Sequence, residues 1–194
     1  MNILFINGSP RRKGFTMQIM QCIAENIDPI HKKEWIHAYD LKIQPCISCL
    51  RCRPDQVCSL PVDDGHAVWN KIRSADVLVI GSPTYFGNMS GPLKTLIDRS
   101  LTGFEELAKS GLEMPIPLHR GKKAAMITAC NITAPFSQLP NHAGGTLKAI
   151  ETVLLAGGFD IVGSIILDAA ASRTEIPVVI KEAAIVLGKR LTLS

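Results

Sequence analysis

Two apolar runs, Ile3-Leu4-Phe5-Ile6 and Val77-Leu78-Val79-Ile80, are each followed by Gly-Ser-Pro, at positions 8–10 and 81–83. Short continuous apolar runs bounded by Gly and Pro predict strands buried on both faces of a parallel sheet. After the first, the spacing turns helical: Phe15, Ile19, Ile23 and Ile27 recur four apart until Asp28-Pro29 ends the period. Glu34 to Tyr39 mixes polar and apolar residues, as an edge strand does. A second helix is predicted over 62–74, capped by Asp63 or Asp64, with Val68, Trp69 and Ile72 inward. Ser90 caps a third, with Gly91-Pro92 in its first turn and a stripe of Leu93, Leu96, Ile97 and Leu101. A strand over 122–130, a helix over 142–156 stopped by Gly157-Gly158, and a strand over 159–167 follow. A terminal helix opens at Thr174 or Glu175, with Pro177 in its first turn. The alternation predicts an α/β fold, a doubly wound parallel sheet. The chain carries no repeat, low-complexity tract or linker, so residues 1–194 are expected to form a single domain. A hydrophobic fraction of 46% suits a sheet covered on both faces.

In open α/β sheets ligands sit outside the carboxyl ends of the strands. If the two Gly-Ser-Pro strands are neighbours, their loops face one crevice. The first loop, residues 8–16, has the parts of a phosphate site: glycines that let backbone N–H groups turn toward an anion, the hydroxyls of Ser9 and Thr16, and a following helix start. Arg11, Arg12 and Lys13 add positive charge, though a solvated basic turn has the same composition. Neither Gly-x-Gly-x-x-Gly nor a Gly-Lys-Ser/Thr ending is present. The second loop, residues 82–90, sets Tyr85 and Phe86 side by side, two of only eight Tyr and Phe in the chain, which favours a flat ligand over core packing. One loop fits a phosphate and the other an aromatic ring system, and FMN has both.

Residues 2–16 and the stretch Val77 to Arg99 resemble the flavodoxin-like NAD(P)H-dependent FMN reductases. The resemblance implies a five-stranded parallel sheet of order 2-1-3-4-5, FMN at the carboxyl edge, and a homodimer or homotetramer. It also implies that Ser9, Arg11 and Thr16 hold the phosphate, and that Pro83, Thr84, Tyr85, Phe86, Gly87 and Asn88 line the isoalloxazine. Phe15 departs from the pattern, standing where relatives often have Asn.

Four of the six cysteines, Cys46, Cys49, Cys52 and Cys58, fall in one short segment. With no apolar signal stretch or membrane span, a cytoplasmic protein is expected, and clustered cysteines there serve metals or redox chemistry more often than structural disulfides. Three thiolates at two-residue gaps can wrap one compact object and a fourth can close it, a spacing close to that of cubane iron–sulfur ligands. Zinc sites more commonly use two separated Cys pairs, and a metal-free, redox-sensitive loop is the third reading. Lys42, Arg51 and Arg53 would offset thiolate charge. Within the same superfamily the segment resembles the iron–sulfur flavoproteins, which carry a [4Fe–4S] cluster beside FMN.

Cys22 is expected in the core. Cys130 ends the fourth strand and belongs on the same carboxyl edge, where it reads as a buried spacer, the alternative being that Cys130 and Asn131 touch the ring. The stretch 103–121 is a long connection, a candidate subunit contact or flavin cover. The net charge of +4 is scattered, without the basic stripe of a nucleic-acid binder, and no membrane partner is expected. No histidine forms a motif with a carboxylate or serine, so none is assigned to catalysis. The expected activity is transfer of electrons from NAD(P)H to FMN, a quinone or another small acceptor. The alternatives are an iron–sulfur electron carrier and a non-catalytic metal-stapled binding module. A phosphoacceptor switch would need an acidic pair where Asn7 and Gly8 stand.

Overall fold

The computed structural model describes residues 1–106 and 114–193. Five parallel strands form the sheet: β1 (Asn2–Asn7), β2 (Lys32–His37), β3 (Val77–Pro83), β4 (Lys123–Ala129) and β5 (Asp160–Leu167), in the order β2-β1-β3-β4-β5. The connecting helices are α1 (Phe15–Glu25), α2 (Asp64–Ser74), α3 (Gly91–Arg99), α4 (Ala143–Ala156) and α5 (Val178–Thr192). The observed order is the expected 2-1-3-4-5. Among the described residues no helix is long and apolar enough to cross a membrane.

The continuous apolar runs are explained by two cores. Successive side chains of a strand point to opposite faces, so Leu4, Ile6, Leu78 and Ile80 join one cluster under α2, α3 and α4, while Ile3, Phe5, Val77 and Val79 join another under α1 and α5. Burial on both faces keeps the middles of the three central strands apolar, with buried Asn7, Ser82 and Thr128 near their carboxyl ends. The two edge strands are more exposed, β2 carrying one fully buried residue and β5 two.

Several boundaries moved for local reasons. The edge strand is Lys32–His37 rather than 34–39, because its register on β1 starts at Asn2↔Lys32 and ends with β1 itself at Asn7↔His37. Residues 38–40 form a single helical turn instead. Helix α1 ends at Glu25, where the Asn26 side chain donates to Cys22 O (2.8 Å), yet Ile27 stays buried. The α3 stripe is Leu93, Leu96 and Ile97 only: Leu101 starts a separate turn, 101–104, and is exposed. Ser90 occupies the N-cap position without a side-chain cap bond. The terminal helix begins at Val178 with Pro177 as its N-cap, accepting from the N–H groups of Ile180 and Lys181. Cys22 is half-buried on the α1–α5 seam, its thiol 3.8 Å from Lys181 O, rather than in the core. Of the long connection, residues 107–113 lie outside the described residues; its two flanks pair antiparallel at 105–106 and 116–117.

Candidate functional site

Because β1 pairs with β3 in register Asn7↔Gly81, the two Gly-Ser-Pro loops leave the sheet side by side, and Gly8 N–H donates to Gly81 O (2.7 Å). Between β1 and β3 the order of strands reverses, which is where ligands of doubly wound sheets bind. A cleft of about 490 Å³ opens there, within the range of small-molecule sites.

The first wall is the β1–α1 loop. Buried Asn7 fixes the turn by accepting from Ser9 N–H (2.9 Å), and Ser9 Oγ accepts from Arg11 N–H (3.2 Å). Gly14 is the N-cap of α1 and has no side chain to offer, and no acidic residue sits in the first turn. The helix therefore presents its positive end to the cleft uncapped. Ser9, Arg11, Lys13, Phe15 and Thr16 line this wall. Arg12 does not: it pairs with Asp40, so two of the three consecutive cations remain for the cleft.

The second wall is the β3–α3 loop. Thr84 N–H donates to Ala129 O (3.0 Å), and a chain of hydroxyls joins Thr128, Thr84 and Thr146, with Thr146 also donating to Asn88 O. Tyr85 and Asn88 exchange both backbone hydrogen bonds across a two-residue turn in which Phe86 (φ 49°) and Gly87 (φ 70°) are left-handed. A Cβ at Gly87 would lie 2.6 Å from Pro140 O, so this turn position requires glycine. Pro83, Thr84 and Tyr85 line the cleft; Phe86, Gly87 and Asn88 do not. Phe86 stands fully out in solvent at 104% exposure, and the Asn88 side chain accepts from Met89 N–H instead. The Tyr39 hydroxyl, in the turn after β2, is pushed up by burial and by the neighbouring Tyr85.

The third wall is the end of β4. Cys130 and Asn131 line it as expected, and Cys130 is buried, its thiol donating to Ile132 O (3.3 Å). Burial pushes that thiol up, so it is a neutral cleft wall rather than a nucleophile. Sequence reasoning missed Gln18 and Ala170, which also line the cleft. The carboxyl-edge rule applied to the fifth strand would have found Ala170; Gln18 had no signal beyond lying four residues after Gly14. No histidine lines the cleft.

The four clustered cysteines lie elsewhere, along one cavity of about 230 Å³ closed by Arg53, Arg99, Leu101, Thr102 and Glu105. All four are free thiols. Cys49 is held below the usual thiol range, chiefly by a backbone hydrogen bond from Arg51 and by Ser59; Cys52 is pushed up by burial and by the other three sulfurs. Among the described residues no three His, Cys, Asp or Glu side chains converge on a single ion. Zinc demands such convergence, about 2.3 Å from each sulfur, and the four thiols as placed do not offer it. A larger multi-iron group does fit the donor set: four thiols on one cavity, beside buried Nε donors of Arg53 and Arg99 that have no hydrogen-bond partner.

A 2-1-3-4-5 sheet with its cleft at the β1/β3 switch point is a flavodoxin-like architecture. Residues 1–143 match the NADPH-dependent FMN reductase family, and the chain belongs to it. Among relatives, an iron–sulfur flavoprotein of Archaeoglobus fulgidus is 44% identical over 101 residues, covering 52% of this chain and 49% of that protein. Another from Methanocaldococcus jannaschii is 35% identical over 101 residues, covering 52% of each. The chain thus aligns with about half the length of these relatives. Among solved structures, an azoreductase from Bacillus anthracis superposes with TM-score 0.72 at 13% identity, covering 98% of both chains. An NAD(P)H:quinone oxidoreductase from Methanothermobacter marburgensis superposes with TM-score 0.68 at 18% identity, covering 98% of this chain and 93% of that one. At such identities the superpositions speak for the fold alone.

Proposed function

We propose that the protein is a single-domain, FMN-dependent oxidoreductase that takes electrons from NAD(P)H and delivers them to FMN, a quinone or another small acceptor. The observation that carries this reading is the cleft, where an uncapped helix start with Ser9, Thr16, Arg11 and Lys13 faces the Tyr85 turn across one volume. FMN supplies hydride and electron chemistry when bound. The protein's residues do the rest: backbone N–H groups and the two cations hold the phosphate end, Pro83, Thr84 and Tyr85 orient the rings, and Cys130 and Asn131 close the far side. Phe86 projects into solvent at the mouth, where it is available to cover a ring or a second subunit of a homodimer or homotetramer. A cytoplasmic location suits the free thiols.

Titration with FMN, followed by flavin fluorescence, tests the cleft; anaerobic mixing with NADH and with NADPH tests the reaction and separates the two donors. Saturable FMN binding and bleaching of the flavin band by either nucleotide are expected. Binding without bleaching would reassign the protein as an electron carrier, and no binding would remove the proposal.

The cysteine cavity favours a second reading within the first, a [4Fe–4S] flavoprotein. Its test is iron and sulfide analysis of anaerobically purified protein, with about four of each per chain expected. Zinc in place of iron would point to the metal-stapled module.

A further inference from the structure

The segment that carries the four cysteines has almost no regular structure, yet both of its ends are tied to one buried ion pair. Asp63 accepts from Gln44 N–H (3.0 Å), two residues before Cys46, while its neighbour Asp64 accepts from Lys42 N–H (2.7 Å). Arg99, whose side chain is 1% exposed, grips the Asp63 carboxylate with both terminal nitrogens (2.8 and 3.0 Å) and donates to Gln44 O. At the other end, His66 Nε2 donates to Cys58 O (3.2 Å) while Nδ1 accepts from Asp63 N–H (3.3 Å), one tautomer serving both bonds. Burial alone would raise the Asp63 carboxyl, but the Gln44 N–H and the Arg99 guanidinium outweigh it and hold the group ionised well below the ordinary range. Arg99 is also part of the wall the four thiols share, and its buried Nε has no partner. Of the acidic groups on that wall, Asp98 is paired with Lys94 and Glu105 is pushed toward its neutral form by burial.

We propose that Asp63, Arg99 and His66 form a clamp that brings the two ends of the cysteine segment together as a four-thiolate site, with Arg99 cancelling the Asp63 charge that would otherwise oppose the thiolates. The proposal rests on the iron–sulfur reading above. These are positioning residues: none is itself a ligand. The clamp draws the Cys46 and Cys58 ends onto the start of α2, and the strictly local sequence between them then carries Cys49 and Cys52 to the same cavity.

The test uses the full chain and three variants, Arg99→Met, Arg99→Lys and His66→Leu, each reconstituted anaerobically with ferrous iron and sulfide. FMN affinity serves as the folding control, because the cleft is built by other residues. His66→Leu leaves the charge in place but releases Cys58; it is expected to lower iron loading at least threefold with the midpoint potential of the residual cluster unchanged. Arg99→Met is expected to lower loading at least tenfold and to move the residual cluster's potential downward, since a lost cation disfavours the more negative reduced state. Arg99→Lys restores the potential but not full loading. Should Arg99→Met fail to bind FMN, His66→Leu and Arg99→Lys decide the matter. Wild-type protein that takes up no iron overturns the iron–sulfur reading and the clamp with it. Wild-type protein that loads iron while His66→Leu and Arg99→Lys load equally well overturns the clamp alone.

Discussion

The FMN-type cleft and the cysteine cavity are both lined by loops, but their loops are held in opposite ways. Residues 8–16 and 84–90 leave strands that are paired on both sides, and the ladder continues into them through Gly8 N–H to Gly81 O and Thr84 N–H to Ala129 O. Residues 45–58 leave the sheet's edge, include only a four-residue helical turn at 52–55, and keep three non-glycine residues, Ser48, Leu50 and Gln56, at positive φ. Each such residue costs on the order of 1 kcal/mol. What opposes that strain is the set of side-chain bonds from Asp63, Asp64, Arg99 and His66. The cleft loops thus extend the sheet's own backbone ladder, reinforced by the Asn7, Ser9 and Thr146 side chains, whereas the cysteine cavity depends on side chains from outside its segment.

The difference predicts where substitutions unfold the protein and where they only disable a site. The largest expected effect is on the cleft side. A Cβ at Gly145 would lie 1.9 Å from Pro140 O and 2.4 Å from Gly87 O, backbone against backbone, with no flexible end to yield. Gly145→Ala should cost about 3 kcal/mol or more despite alanine's better helix propensity, read as a lower thermal midpoint together with lost FMN binding. Replacing all four clustered cysteines by serine should instead leave the thermal midpoint of the FMN-bound protein nearly unchanged while abolishing iron uptake. If the cysteine variant unfolds and Gly145→Ala does not, the contrast between the two regions is wrong.

Next in size is the loss of one ligand-facing group from a rigid wall. Thr16 is 2% exposed and lines the cleft at the first turn of α1. Thr16→Val keeps its shape and removes one hydroxyl donor, so FMN affinity should fall about tenfold, or roughly 1.4 kcal/mol, with stability little altered. An unchanged Kd would take Thr16 out of the phosphate site.

The same contrast decided what the sequence could reveal. The buried strands, the shared crevice and most of the cleft lining were legible, because a continuous apolar run followed by glycine specifies a buried strand and the exit of its loop; the sheet order was implied by the family resemblance. Ser9, Arg11, Thr16, Tyr85, Cys130 and Asn131 came to the cleft as their position after a strand implied. Phe86 and Arg12, each adjacent to a lining residue, did not, because a left-handed turn and an ion pair with Asp40 redirect them. The cysteines were legible as a group, but not what holds them. Asp63 and Arg99 are 36 residues apart, and only tertiary packing brings them into contact. The sequence offers Asp63 or Asp64 as the cap of α2; Asp63 is the cap, and nothing in its spacing signals its bonds to Gln44 and Arg99.

A smaller effect concerns reactivity within the cavity itself. The thiolate is the nucleophile, so a thiol held below its usual range reacts with iodoacetamide at lower pH than one pushed above it. Cys49 should therefore be alkylated first, its rate rising at a pH below that of an ordinary cysteine, and Cys52 should lag, its rate rising only at more alkaline pH. Peptide mapping of metal-free protein across a pH series separates the two. A Cys52 that outpaces Cys49 at neutral pH would mean that the cavity is arranged differently in solution.

The smallest stability effect is expected at Phe86, and for that reason it sharpens the comparison most finely. The side chain is fully exposed and its backbone lies in a region that glycine occupies without strain. Phe86→Gly should change stability by no more than about 0.5 kcal/mol, the lost left-handed strain offsetting the greater chain freedom of glycine. The ligand-facing consequence is separate. If the ring covers a bound flavin, Phe86→Gly lowers FMN affinity and leaves the thermal midpoint of the ligand-free protein in place; if it serves only a subunit contact, FMN affinity holds while the oligomer measured by light scattering dissociates at higher concentration. An aromatic residue in a left-handed turn, bare of neighbours within its own chain, has no folding reason to be there, so one of these two readouts should move.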